Sequence, residues 1–165
     1  MWDEAFYPLA TGTWTRGDAD AWRLGSLTKL WGCPGLRLGY VIAPDQPAAA
    51  AIRAIQPQWA VNGLALALVE PLLERTELAS WARQIADLRT RFAGELARLG
   101  FTVRPTAANW VLVDRPGLRG ALAPHRVVVR DCASFGLPGV HRVALPSPDR
   151  LDEVLAGFTA VAPSS

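Results

Sequence analysis

Apolar residues recur along this chain with two different spacings, which predict different kinds of structure. In residues 78–99 an apolar side chain recurs every three or four positions with arginines between, and Gly100 follows. That spacing predicts one long amphipathic helix. Short runs of β-branched and aromatic residues then predict strands over 101–104, 109–113, 126–130 and 141–145, and two further helices are predicted over 118–123 and about 151–161.

Residues 1–75 alternate short apolar runs with turns that contain Gly and Pro. The DEAF segment at residues 3–6 indicates the end of a strand, and strands are also predicted over 24–27 and 36–43. Helices are predicted over 48–56, where Pro57 ends the helix, and over 63–73, where Asn62 is a suitable N-cap. The chain therefore divides into two predicted domains, residues 1–75 and residues 76–165, and the order helix, strands, helix makes the second one α+β.

Lys29 is the only lysine of the chain, since the other sixteen of the seventeen basic residues are arginines. Arginine remains charged in proteins, whereas a lysine amine can be neutral and can condense with a carbonyl group. Two hydroxyls, on Ser26 and Thr28, and the guanidinium of Arg37 lie near it in the sequence, and these groups bind phosphates. An amine beside a phosphate-binding set suggests a Schiff base with a phosphorylated aldehyde, which means pyridoxal 5'-phosphate.

This region resembles the cofactor-lysine segment of fold-type I pyridoxal-phosphate enzymes, the class I and II aminotransferase superfamily. The resemblance rests on SLTK at residues 26–29 and PGLRLGY at residues 34–40. It implies an α/β fold in which residues 1–75 are part of the large cofactor-binding domain, with a fragment of its mostly parallel sheet. Residues 76–165 would be the small C-terminal α+β domain. The N-terminal part of that fold has no counterpart in this sequence, which indicates an N-terminally truncated chain.

The resemblance implies a cofactor role for each residue of this set. Lys29 would form the Schiff base and act as the proton-transferring base. Asp3 would bind the pyridine nitrogen, since a carboxylate there keeps the ring protonated. The phosphate would be held by Ser26, by Thr28 in part, and by Arg37.

Two arginines at strand ends are implied to bind the acidic groups of the substrate. Arg142, in VHRVAL at residues 140–145, is expected to bind a carboxylate, and Arg130, in VVVRDC at residues 127–132, a second anionic group. Asn62, in WAVN at residues 59–62, is a weaker candidate for a substrate contact, because its N-cap position would account for it. Phe6 stands where many relatives have a tyrosine, so the hydrogen bond of that hydroxyl to the cofactor is not expected.

The segments at residues 59–62 and 130–132 favour a threonine-phosphate decarboxylase of cobalamin biosynthesis within this superfamily. The alternative is a histidinol-phosphate aminotransferase or another class I or II aminotransferase, since decarboxylation and transamination share this machinery. The expected substrate is a small phosphorylated amino acid, and the resemblance implies a homodimer for the complete enzyme. The alternative outside enzymes is an inactive remnant or partner-binding module that keeps these residues by descent.

Composition and charge exclude several other classes. Half of the residues are apolar and the net charge is +2, so an ordered core is expected. The arginines are scattered, without a basic run, which argues against nucleic acid and membrane as partners. No metal-ligand pattern, signal peptide or membrane-spanning run is present, and Cys33 and Cys132 are predicted to be free thiols in a cytoplasmic protein.

Overall fold

The computed structural model describes residues 1–17 and 20–163, which form two compact units, Met1–Ala82 and Arg83–Ser165. Each unit has its own sheet. In chain order the elements are β1 Trp2–Asp3, α1 Tyr7–Thr11, β2 Arg23–Gly25, α2 Leu27–Leu30, β3 Tyr40–Ile42, α3 Gln46–Ile55, α4 Gly63–Glu74, α5 Leu78–Arg98, β4 Thr102–Arg104, β5 Trp110–Asp114, α6 Leu118–Leu122, β6 Arg130–Asp131, β7 Val140–Ala144 and α7 Leu151–Ala160.

The first unit contains a three-stranded sheet in the order β1-β2-β3. β1 pairs with β2 in parallel, whereas β2 and β3 are antiparallel. The strand predicted over 36–43 is correct only at its end, because Pro34–Leu36 forms a 3₁₀ turn and Arg37 is left-handed with φ of 50°. β3 therefore begins only at Tyr40.

Close packing at Gly25 fixes how β3 lies on β2. The ring of Tyr40 covers Gly25 so closely that a Cβ there would lie 2.0 Å from a ring carbon. A Cβ at Gly39 would lie 2.8 Å from the carbonyl oxygen of Gly25. Only glycine fits at either position, so the start of β3 is held against the end of β2.

Side-chain caps set the starts of the two middle helices. Asp45 accepts a hydrogen bond from the Ala48 amide at 2.8 Å, so α3 begins at Gln46, two residues before the predicted start, with Pro47 in its first turn. The predicted N-cap of α4 is confirmed, since Asn62 Oδ1 accepts a hydrogen bond from the Ala65 amide at 2.8 Å.

The second unit is an antiparallel sheet in the order β4-β5-β7-β6, with helices packed on one face. The long helix predicted over 78–99 is confirmed as α5. Its Phe92 and Leu96 are fully buried together with strand residues such as Val113. Phe158 of α7 closes this core, with edge-to-face contacts to Phe92 and Phe101 at centroid distances of 6.1 and 5.3 Å.

The strand predicted over 126–130 is wrong for most of its length. Arg126 is left-handed, with φ of 61°, and only Arg130 and Asp131 pair with β7. Val127 and Val129 are nevertheless buried in the core while Val128 between them is 83% exposed. The alternation that predicts a strand is therefore present, but the backbone of these valines is in no strand ladder.

We expect Phe158→Ala to lower the free energy of unfolding of the second unit by about 3–5 kcal/mol, because it removes a fully buried ring and leaves a cavity. Val128→Ala is the matched control in the same unit, and its exposed side chain predicts a change of less than about 0.5 kcal/mol. Urea denaturation followed by circular dichroism measures both. Equal midpoints for the two variants would contradict the assignment of Phe158 to the core.

Candidate functional site

Three strand ends in the first unit bring the predicted cofactor residues to one edge of its sheet. Asp3 ends β1 and is the parallel partner of Leu24, so the ends of β1 and β2 lie side by side. Ser26 follows β2 directly, and Arg37 precedes β3, whose first residue, Tyr40, pairs with Gly25. The carboxyl ends of parallel strands are where ligands bind in α/β sheets.

The amine of Lys29 lies at this edge, against the segment that follows β1. The strand predicted over 24–27 ends at Gly25, because Leu27–Leu30 forms the short helix α2. Ser26 caps this helix by accepting a hydrogen bond from the Lys29 amide at 3.3 Å. Lys29 itself is exposed, and its Nζ lies 4.9 Å from the centroid of the Phe6 ring. Phe6 thus supplies a ring face to the amine, where a tyrosine would also have brought a hydroxyl.

Asp3 and Glu4 are adjacent carboxylates with opposite surroundings. Asp3 is exposed, and its Oδ1 accepts a hydrogen bond from the Ala5 amide at 3.0 Å. Glu4 is 2% exposed, and its Oε1 accepts a hydrogen bond from the Arg16 amide at 3.2 Å. The buried Oε2 of Glu4 has no partner among the described residues. Asp3 is therefore the carboxylate that a ligand at this edge can reach.

Two side chains hold the loop that carries Arg37. The Thr28 hydroxyl donates a hydrogen bond to the Leu38 carbonyl at 3.0 Å and accepts one from the Leu38 amide at 2.9 Å. From the start of α4, Asn62 donates from Nδ2 to the Leu36 carbonyl at 3.1 Å. Arg37 is exposed and donates to the Pro34 carbonyl at 3.3 Å. The hydroxyl of Thr28 and the amide of Asn62 thus position this loop, and their ligand contacts stay predictions.

In the second unit, the sheet face opposite the helices carries a row of arginines. Leu112 of β5 pairs with Arg104 on one side and with Arg142 on the other, and Arg142 in turn pairs with Arg130 of β6. The register therefore places Arg130 and Arg142 directly opposite each other, although the two are well separated in the sequence.

The arginines of this row differ in what compensates their charge. Arg104 makes a bidentate ion pair with Asp114, at 2.7 and 2.6 Å, and this bond lowers the pKa of the Asp114 carboxyl and raises that of Arg104. Arg142 instead lies over Trp110, and Arg130 over Phe135, with centroid distances of 4.9 and 4.7 Å. Aromatic faces orient a guanidinium without neutralising it.

Arg130 and Arg142 line one open cleft of about 530 Å³ in the second unit. Its lining also includes Arg119 of α6, which the sequence analysis did not identify, together with Asp131 and Ser134. Asp131 uses its Oδ1 to accept a hydrogen bond from the Ala133 amide at 2.8 Å. Within residues 1–17 and 20–163, no ion pair involves any of the three cleft arginines. The cleft therefore has an excess of positive charge.

Two further features to consider in the part of the chain that the structure describes are clustered metal ligands and membrane-spanning helices. That part of the chain contains no group of three or more His, Cys, Asp or Glu side chains that could hold a metal ion. It also contains no helix with the length and apolar character needed to cross a membrane.

Comparison with known proteins gives consistent matches over nearly the whole chain. The family model "Aminotransferase class I and II" matches residues 1–158. The chain is 34% identical over 182 aligned residues to the threonine-phosphate decarboxylase of Salmonella typhimurium, covering 98% of this chain and 49% of the relative. It is 33% identical to the histidinol-phosphate aminotransferase of Rhodospirillum centenum, covering 78% of this chain and 38% of that protein.

A solved structure shows the same architecture. The histidinol-phosphate aminotransferase of Clostridium acetobutylicum aligns with a TM-score of 0.85 and 28% identity, over 97% of this chain and 53% of that one. This match confirms the α/β fold class expected from the resemblance. The chain spans about half the length, or less, of the relatives that it matches.

We expect Thr28→Val to loosen the Arg37 loop, because it removes both hydrogen bonds of the hydroxyl with Leu38. Amide exchange at Leu38 should accelerate by about ten- to a hundredfold, as expected for a loss of about 1–3 kcal/mol. Thr28→Ser keeps the hydroxyl and is the matched control. Hydrogen exchange followed by NMR measures the effect, and unchanged protection of Leu38 in Thr28→Val would contradict this role.

Proposed function

The chain belongs to the class I and II aminotransferase family, and we propose that it carries the cofactor lysine and the substrate arginines of a decarboxylase that acts on an amino-acid O-phosphate, of the threonine-phosphate type. The observation that carries this proposal is the position of Lys29. The only lysine of the chain presents an exposed amine at the sheet edge where Asp3 and Ser26 also lie.

Pyridoxal 5'-phosphate is the cofactor of this family, and the residues at the sheet edge fit its three functional groups. The amine of Lys29 suits its aldehyde, the accessible carboxylate of Asp3 suits its pyridine nitrogen, and the guanidinium of Arg37 with the Ser26 hydroxyl suits its phosphate. Thr28 contributes in part, since its hydroxyl is already bonded to Leu38. When bound, the cofactor supplies an electron sink for the bond that breaks at the substrate α-carbon.

The chain's own residues supply binding and proton transfer. Lys29 would hold the cofactor covalently through Nζ, and its amine would move a proton to or from the α-carbon of the substrate. Asp3 would hold a proton at the ring nitrogen, because a neighbouring carboxylate favours the protonated ring. Phe6 packs its ring against the lysine but offers no hydroxyl.

Arg142 binds the substrate carboxylate and Arg130 takes part in binding the phosphate in this proposal. Their cleft offers more guanidinium groups than one anion needs. Threonine phosphate carries two anionic groups, a carboxylate and a phosphate, whereas histidinol phosphate carries a phosphate alone. The three guanidinium groups of the cleft suit a substrate that carries both groups, and the chain is 34% identical to the threonine-phosphate decarboxylase against 32% to a histidinol-phosphate aminotransferase that aligns over the same share of the chain.

The second candidate is a histidinol-phosphate aminotransferase, which the relatives of that name support. The two reactions differ in the bond that breaks. Decarboxylation breaks the bond from the α-carbon to the carboxylate, releases CO₂ and adds a proton to the α-carbon. Transamination breaks the bond from the α-carbon to hydrogen and passes the amino group to a 2-oxo acid. Asn62 donates a hydrogen bond from its side-chain amide to the Leu36 carbonyl. In either reaction it would act on the substrate through the position of the Arg37 loop, without contacting the substrate itself.

The wider context belongs to the same proposal. We place the complete protein in cobalamin biosynthesis, as a cytoplasmic homodimer with a cofactor-binding domain over residues 1–75 and a small domain over 76–165. The two cysteines are free thiols, Cys132 buried and Cys33 half-buried, which suits a reducing compartment. The competing proposal, an inactive remnant or partner-binding module, makes no use of the Lys29 amine.

We expect the 165-residue chain to take up pyridoxal 5'-phosphate on Lys29 alone. Titration with the cofactor, reduction with borohydride and peptide mass mapping should yield one modified peptide, the one that contains Lys29. In Lys29→Ala this modified peptide should be absent. The only amine left in that variant is the N-terminus, which lies on a different peptide. A modified N-terminal peptide in both proteins would report non-specific labelling and serves as the internal control.

Absence of the Lys29 adduct from a folded wild-type chain would contradict cofactor binding by these 165 residues and support the remnant. If the Lys29 adduct forms, the products made from each substrate distinguish decarboxylation from transamination. CO₂ released from threonine phosphate supports the decarboxylase, and amino transfer from histidinol phosphate to a 2-oxo acid supports the aminotransferase. Turnover of either kind should vanish in Lys29→Ala, since no other side chain can provide the amine.

A further inference from the structure

We infer that Arg119 is a specificity-determining residue: with Arg130 it binds the phosphate group of the substrate and leaves Arg142 for the carboxylate. This inference rests on the proposed function, because it assigns the anionic groups of that substrate within the cleft. Arg119 lies outside every motif on which the family resemblance depends.

The anchoring of α6 fixes the backbone of Arg119 at the rim of the cleft. Leu118 and Leu122, one helical turn apart, are both fully buried in the core of the second unit. Arg119 follows Leu118 directly, is exposed, and lines the cleft together with Val128 and Arg130. Its position is therefore set by core packing, while its long side chain can adjust to a ligand.

The distribution of charge points to an anion with more than one negative charge. Asp131 is the only carboxylate among the residues that line the cleft, against three guanidinium groups. Arg104, on the same sheet face, is already neutralised by Asp114. The uncompensated positive charge of the cleft is thus concentrated at Arg119, Arg130 and Arg142.

The different hydrogen-bonding needs of a carboxylate and a phosphate indicate which arginines bind which group. A carboxylate is satisfied by one bidentate guanidinium. A phosphate monoester carries a charge of about −1.5 to −2 at pH 7 and three acceptor oxygens, so it can use two guanidinium groups at once. Arg142 is already oriented by the Trp110 ring of β5. Arg130, in contrast, lies on the edge strand β6, next to Val128 and Val129, which also line the cleft with Arg119. Arg119 and Arg130 are therefore assigned to the phosphate.

The test is titration of the 165-residue chain with inorganic phosphate and, separately, with acetate, followed through the arginine Nε–Hε resonances by NMR. We expect Arg119→Ala to weaken phosphate binding by about tenfold, or 1.4 kcal/mol, and to leave acetate binding unchanged. Arg104→Ala is the matched control, since its guanidinium is paired with Asp114, and it should bind phosphate like the wild type. Arg119→Glu, which reverses the charge, should weaken phosphate binding further.

The pH dependence adds an independent readout. Arginines stay protonated across the range, so phosphate affinity should rise from pH 5.5 to 8.5 as inorganic phosphate loses its second proton near neutral pH. Acetate affinity should stay level over the same interval. Wild-type phosphate affinity in folded Arg119→Ala would overturn the role of Arg119. Failure of the wild-type chain to bind phosphate would overturn the anion cleft and this inference with it, whereas the Lys29 adduct would still test the cofactor half of the proposed function.

Discussion

The candidate site of the first unit depends on the close packing of the Tyr40 ring against Gly25. This packing holds the start of β3 against the end of β2, so the Lys29 helix and the Arg37 loop emerge at the same edge. Burial, reinforced by the charge of Glu4, raises the pKa of Tyr40. The phenol therefore stays neutral and donates to the Trp14 carbonyl at 3.0 Å. A side chain at Gly25 would displace this ring and separate the groups that are proposed to hold the cofactor.

Sequence motifs identify the candidate ligand-binding groups of this edge better than the groups that position them. Lys29, Asp3 and Arg37 could be predicted because their chemistry is specific and their spacing is local. The bonding of Thr28 to Leu38 and of Asn62 to Leu36 could not, because hydrogen bonds between distant segments arise only when the loop has folded. The late start of β3 could not be predicted either. Arg37 has a left-handed backbone, and the hydrophobic pattern of the sequence does not indicate such a conformation.

The second unit shows the same division between local pattern and tertiary pairing. The 3.6-residue period of α5 is local, and it predicted the helix almost to its ends. The apolar alternation of residues 127–129 was equally clear, yet it marks burial in the core and not a paired strand. Arg119 could not be found from the sequence at all, because its place in the cleft follows from the burial of Leu118 and Leu122.

The pairing of Arg130 with Arg142 is explained better by a ligand than by the fold. Like charges directly opposite on neighbouring strands destabilise a sheet, and among the described residues neither guanidinium has a carboxylate to offset this cost. Trp110 and Phe135 orient the two groups without removing their charge. The same sheet face neutralises Arg104 with Asp114, so the fold has the means to pair an arginine where stability alone matters. A bound anion would remove the repulsion and stabilise the folded unit by mass action, which is a second reason to propose that these two arginines bind a ligand.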